Sequence, residues 1–128
     1  MTEPPSGAAP PVTAELRGRG ALGLRALAEE ICRRYRAEFP DEQQRYGDAG
    51  VAWCIHDNQH LLNWAVIESN GFGGFEGKLG WLAGILEARG FPLERLARNL
   101  ELGAAVLDDH GEPRPGPADV LERGAKLL

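Results

Sequence analysis

The sequence predicts an all-α fold: an antiparallel bundle of four main helices followed by a short C-terminal helix. Three observations carry that expectation. Apolar residues recur at three- and four-residue steps through successive segments. No segment shows the period-two alternation between turn clusters that marks a strand. The connections between the periodic segments are short, which favours antiparallel neighbours. The 128 residues, 43% hydrophobic and 26% charged, suit one ordinary domain with its own core. We expect residues 1–12, which hold four prolines, a glycine and a serine, to be a disordered tail, and residues 13–128 to form the single helical domain.

Taken in order, the glycine-rich stretch 17–23, RGRGALG, reads as frayed or irregular. A first helix is predicted from Leu22 to Phe39. Leu24, Leu27, Ala28, Ile31, Cys32, Tyr35 and Phe39 share one face, and Pro40 ends the pattern. The polar stretch DEQQRYGDAG then predicts one short helical turn broken at Gly47, with Asp48 placed to cap the next helix. That second helix is predicted from Ala49 to Ser69, ending at Asn70-Gly71. A third should run from Phe75 to Arg89. Its end, Ala88-Arg89-Gly90-Phe91-Pro92, combines a basic last turn, a left-handed glycine cap, an apolar residue that folds back and a proline stop. Pro92 then suits the first turn of a fourth helix reaching Leu107, with Leu93, Leu96, Leu100, Ala104 and Leu107 inward. DDHGEPRPGP is a loop by composition, and Ala118 to Leu128 make the last helix, with Val120, Leu121, Ala125 and Leu128 inward.

Charge and cysteine content narrow the function. A net charge of −5 disfavours nucleic acid as a partner, because duplex binders carry a basic face. No run approaches the roughly 18 uninterrupted apolar residues of a membrane span, so no membrane partner is expected. The opening MTEPPSGAAPPVTAE is acidic and lacks an apolar signal stretch. We therefore expect a cytoplasmic protein in which Cys32 and Cys54 are free thiols, a disulfide being the lesser alternative.

The segment Val51 to Ile67, VAWCIHDNQHLLNWAVI, carries the five polar residues His56 to His60 inside an apolar run. On a helical wheel Asn58 falls near the centre of the apolar arc, while His56 and His60 lie on a second face. Trp53, Asp57, His60 and Trp64 form a neighbouring strip. Two readings of Asn58 compete: a buried structural amide that fixes helix register, or an amide offered to a ligand inside the bundle. His56 and His60 have the i, i+4 spacing of two metal ligands, but HDNQH lacks the glutamate of HExxH and Cys54 points elsewhere, so no metal site is assigned. Trp53, Trp64 and Trp81, with Phe72 and Phe75, either fill the core or line a pocket. The candidate ligand-binding set is Asn58, His56, His60, Trp53, Trp64 and Trp81.

Seven glycines lie between residues 71 and 90. Gly77, Gly80 and Gly84 share a helical face opposite Phe75, Leu79, Leu82 and Leu86. Each costs roughly 0.5–1 kcal/mol against alanine, which points either to close approach of a helix, a partner or a flat ligand or, equally for Gly80 and Gly84, to a flexible, poorly helical start with the true helix beginning near Lys78. For Gly73 and Gly74 a poorly helical start to the segment is the simpler account.

Gly18-Arg19-Gly20-Ala21-Leu22-Gly23 matches GxGxxG without the strand and βαβ unit that give it meaning. Gly77-Lys78-Leu79 is not a phosphate loop, and the only serines are Ser6 and Ser69. Glu29-Glu30 and Asp108-Asp109 read as solvated surface. With no catalytic constellation, we expect a non-enzymatic helical-bundle module that acts through a protein partner or through self-association as a homo-oligomer. The alternative is a sensor domain that binds a small molecule, metal or cofactor through the polar insert. The sequence identifies no particular cofactor.

Overall fold

A computed structural model of the chain describes residues 9–128. The part of the expected tail on residues 1–8 lies outside the described residues. Pro11 and Val12 are tied to the fold: the Gln59 side chain donates to the Pro11 carbonyl at 3.0 Å, and the Leu24 amide donates to the Val12 carbonyl at 2.9 Å.

The element order begins with a correction. Two antiparallel strands, β1 (Thr13–Leu16) and β2 (Gly20–Gly23), stand where an irregular segment and no strand were expected. Ala14, Leu16 and Leu22 are buried while Glu15 and Ala21 face out, so one face of the hairpin covers the bundle. Each strand is only four residues long, too short for alternation to stand out in the sequence.

Five helices come after the hairpin: α1 (Leu24–Glu38), α2 (Asp41–Ser69), α3 (Phe75–Ala88), α4 (Leu93–Asp109) and α5 (Pro117–Leu127). The fold is all-α apart from the hairpin, with α1 packed on α2 and α4, and α5 on α4 and α2. Leu24 and Ile31 of α1 meet Leu61 and Leu62 of α2, Leu79 of α3, Leu100 and Leu107 of α4 and Leu121 of α5 in one core. Leu128, expected inward, is exposed, because α5 ends at Leu127.

Two breaks in the helical path rest on local chemistry. At the end of α3 the Gly90 amide donates to the Glu87 carbonyl at 3.0 Å and the Phe91 amide to the Leu86 carbonyl at 2.9 Å. That is the paired bonding of a Schellman cap, with Gly90 left-handed at φ 80°. Within α2 the helix breaks at Gly47, where φ is 63° and ψ is −156°. An L-residue rarely adopts that conformation, and a Cβ placed there meets nothing within 4 Å, so strain alone sets the cost of adding one. Gly47→Ala is expected to lose about 2 kcal/mol of stability in a urea melt. A loss below a few tenths of that figure counts against the kink.

Salt bridges tie the helices together. Arg95 of α4 reaches Asp41 and Glu42 of α2 at 3.0 Å each, and Arg98 reaches Glu38 of α1 at 2.9 Å. Glu30 pairs with Arg33 and Arg34, and Asp108 with Arg114, as the surface reading of both acidic pairs expects.

Candidate functional site

The kinked α2 is contacted on three sides, and each side carries part of the polar insert. The first faces α1 and α4. Asn58 is buried there and pairs with Asn99 of α4: Asn58 Nδ2 donates to Asn99 Oδ1 at 3.0 Å and Asn99 Nδ2 to Asn58 Oδ1 at 2.8 Å. Asn58 Nδ2 also donates back to the Cys54 carbonyl at 3.0 Å, the local bond that a mid-helix asparagine makes one turn up. Asn99 is absent from the candidate set that the sequence suggests. Its signal was a lone amide beside Leu96 and Leu100 on an otherwise apolar helix face.

Cys32 of α1 and Cys54 of α2 form a disulfide, with Cα atoms 6.0 Å apart. The expectation of free thiols is thereby corrected. Packing α1 against α2 brings the two residues within bonding range, which their separation of 22 residues does not reveal. Asn58 Nδ2 lies 3.5 Å from both sulfurs. Oxidising compartments sustain such a bond, so the cysteines no longer argue for a cytoplasmic location. Among the described residues, no helix is long and apolar enough to cross a membrane.

A partly open cavity of about 100 Å³ lies beside the amide pair. Asn58, Asn99 and Cys54 are among the residues that line it. Leu61, Leu82, Leu86, Phe91 and Leu96 make its apolar walls, and Tyr35, Tyr46 and Trp53 add rings. Two carboxylates reach it. Glu42 is buried and satisfied, accepting from the Tyr35 hydroxyl at 2.5 Å and from Arg95 at 3.0 Å. Burial, and then that carboxylate, push the Tyr35 phenol far above its ordinary value.

Asp57 is the less compensated of the two. Burial pushes its carboxyl from 3.8 up to about 6, against the lowering pull of the His56 ring and the Arg89 charge. His56 Nδ1 stands 3.3 Å from Asp57 Oδ1, and the Arg89 guanidinium lies 4.9 Å from the centre of the Trp53 ring. The folded chain therefore holds the Asp57 proton more tightly than the unfolded chain does. This group's contribution to stability is complete below pH 3.8 and is lost as pH rises through about 6. Asp57→Asn removes the loss. The variant is expected to exceed the natural chain in stability at pH 8 by on the order of 2 kcal/mol. The difference should vanish near pH 4 in paired urea melts, and a constant difference across that range would count against the assignment.

The second side of α2 carries an aromatic ladder. His56 and His60 have ring centres 4.8 Å apart, His60 and Trp64 5.7 Å, and Trp64 and Trp81 of α3 6.5 Å. His60 is buried, His56 and Trp64 are half-buried, and Trp81 is 48% exposed. The structure thus divides the six candidates: Asn58 and Trp53 line the cavity, while His56, His60, Trp64 and Trp81 do not. Trp53 and Asp57 also part from His60 and Trp64, with which the wheel had grouped them. Among the described residues, no three His, Cys, Asp or Glu side chains gather where they could hold a metal ion.

The third side lies under the N-terminal segment. Gln59, which the wheel left outside the apolar arc, is 1% exposed, because residues 11–16 pass over it. Its Nε2 reaches Pro11, while its Oε1 has no hydrogen-bond partner.

The glycine face of α3 is open. Gly77, Gly80 and Gly84 are exposed, and a Cβ placed on any of them meets nothing within 4 Å. Among the described residues, close approach by another helix does not account for them. Gly73 and Gly74 have φ of 72° and 90° and precede the helix, as the simpler account of them expects.

No family model, curated protein or solved structure matches this chain.

Proposed function

We propose that this protein is a non-enzymatic binding module whose cavity between α1, α2, α3 and α4 receives a small molecule. The observation that carries this reading is the buried Asn58–Asn99 pair in the lining of a largely apolar cavity of about 100 Å³. Ligand sites combine apolar walls with a few placed polar groups in this way. Each amide oxygen keeps a second lone pair beyond its bond to the other asparagine, and one N–H of Asn99 is not used in the pair. The volume is below the ~150 Å³ of an apolar cavity that takes benzene, so the ligand, or the part of it that enters, is small. Asp57 supports the same reading, since a residue that costs stability where it stands fits a role in binding.

The test is native mass spectrometry of protein purified from its own host, joined to a titration with small organic fragments followed by amide chemical shifts. A retained mass, or shifts centred on Trp53, Asn58 and Asn99, is the expected result. Bare protein together with no shift at any of the three at millimolar fragment overturns the reading.

Phe72 at 74% and Trp81 at 48% exposure favour a second reading, in which the open glycine face of α3 meets a protein partner or a second copy of this chain. Gly80→Ala with Gly84→Ala should stabilise the isolated chain by roughly 0.5–1 kcal/mol per site. If the face is an interface, the same pair weakens association. Unchanged oligomeric state and partner binding leave it as bare surface.

A further inference from the structure

Trp53 and Asp57 stand one helical turn apart on the same face of α2, and both border the cavity. Asp57 is a carboxylate with 17% of its side chain exposed, set among leucines and aromatic rings. A charge so placed needs a partner close by. The His56 ring meets it at 3.3 Å. Arg89, the one cationic residue lining the cavity among the described residues, is spread over the Trp53 ring at 4.9 Å and acts on Asp57 only as a nearby charge. The second carboxylate, Glu42, already holds Tyr35 and Arg95. The cavity therefore joins an under-compensated anion, an aromatic face that already accepts a cation, and an apolar interior.

On the reading that this cavity takes a small molecule, we propose that its ligand is a small organic cation, an ammonium group on a compact apolar body. The ammonium sits between the Asp57 carboxylate and the Trp53 ring, where ion pairing and the ring quadrupole both favour it. The apolar body packs on Leu82, Leu86 and Leu96, which line the cavity together with the Asn58–Asn99 pair. Arg89 occupies the ring in the absence of ligand and gives way to it.

Three probes of matched size separate the chemistry: isobutylammonium, isobutanol and isobutyrate, each titrated into the full chain at pH 8 while amide and indole shifts are recorded. Isobutylammonium is expected to bind roughly tenfold or more tightly than the neutral alcohol, and isobutyrate least tightly. Asp57→Asn should abolish the preference for the cation over the alcohol, and its predicted higher stability keeps the comparison on folded protein. Arg89→Ala should strengthen isobutylammonium binding several-fold by removing the internal competitor. Equal binding of alcohol and ammonium, or an Asp57→Asn chain that keeps the preference, overturns the cation assignment and leaves the small-molecule reading standing. If none of the three probes shifts Trp53, Asn58 or Asn99, the cation assignment falls; the small-molecule reading falls with it when the protein from its own host also carries no retained mass.

Discussion

Reduction of the Cys32–Cys54 disulfide is expected to lower the stability of the chain by about 3 kcal/mol, the effect of opening a loop of this length in the unfolded state. The bond joins α1 to α2 across 22 residues, and that span includes the Gly47 break. In the unfolded chain it removes the freedom of that loop. In the folded chain it holds two helices that already pack through Ile31, Leu61 and Leu62. Cys32 is 2% exposed while Cys54 is only partly buried and lines the cavity, so a reductant's approach is to the Cys54 sulfur. Urea melts with and without a dithiol reductant read the effect directly, and Cys32→Ser with Cys54→Ser gives a second route to it. An intact mass two hydrogens below that of the dithiol establishes the bond in the purified protein. A melt indifferent to reductant would sink the prediction.

Asn99→Leu should cost roughly 3 kcal/mol, because it strands Asn58. The substitution nearly conserves side-chain volume. It removes the donor to Asn58 Oδ1 and one acceptor of Asn58 Nδ2, leaving the bond to the Cys54 carbonyl. Asn58 is 3% exposed and cannot turn to bulk water. The double change Asn58→Leu with Asn99→Leu removes both partners together and should recover roughly 1–3 kcal/mol relative to the sum of the singles. Strict additivity in that double-mutant cycle, or a single change costing under about half a kcal/mol, would show that water from the cavity already satisfies the amides. The cycle also bears on function. A pair kept only for register is replaceable by two leucines with no loss beyond stability, whereas a pair that meets a ligand takes binding with it.

These two expectations differ in how far the sequence supports them. Asn58 was legible because one amide interrupted a helical apolar arc, and a helical wheel needs nothing but the local repeat. Its partner Asn99 lies 41 residues away, and nothing in either helix by itself says how the two are rotated toward each other. The disulfide escaped for the same reason. Gln59 escaped because the cover above it comes from residues 11–16, whose strand is too short to announce itself. The Trp53–Asp57–His60–Trp64 strip reads as a unit on the wheel and proved to be two surfaces, since the cavity and the aromatic ladder divide α2 between them.

The features readable from the chain before it folds are all local. The helical segments, the break at Gly47 and the cap built by Gly90 and Phe91 come from backbone preference and from a repeat of 3.6 residues, and both act within a few turns. Packing of the whole chain chose which face of α2 meets which neighbour. That choice paired Asn58 with Asn99, joined Cys32 to Cys54, opened the cavity beside them and left the glycine face of α3 uncovered. The physical reason is that burying apolar area is non-directional. It requires each helix to bury a stripe, and only the close packing of all five helices and the hairpin selects the rotation at which every stripe and the buried amide pair are satisfied together.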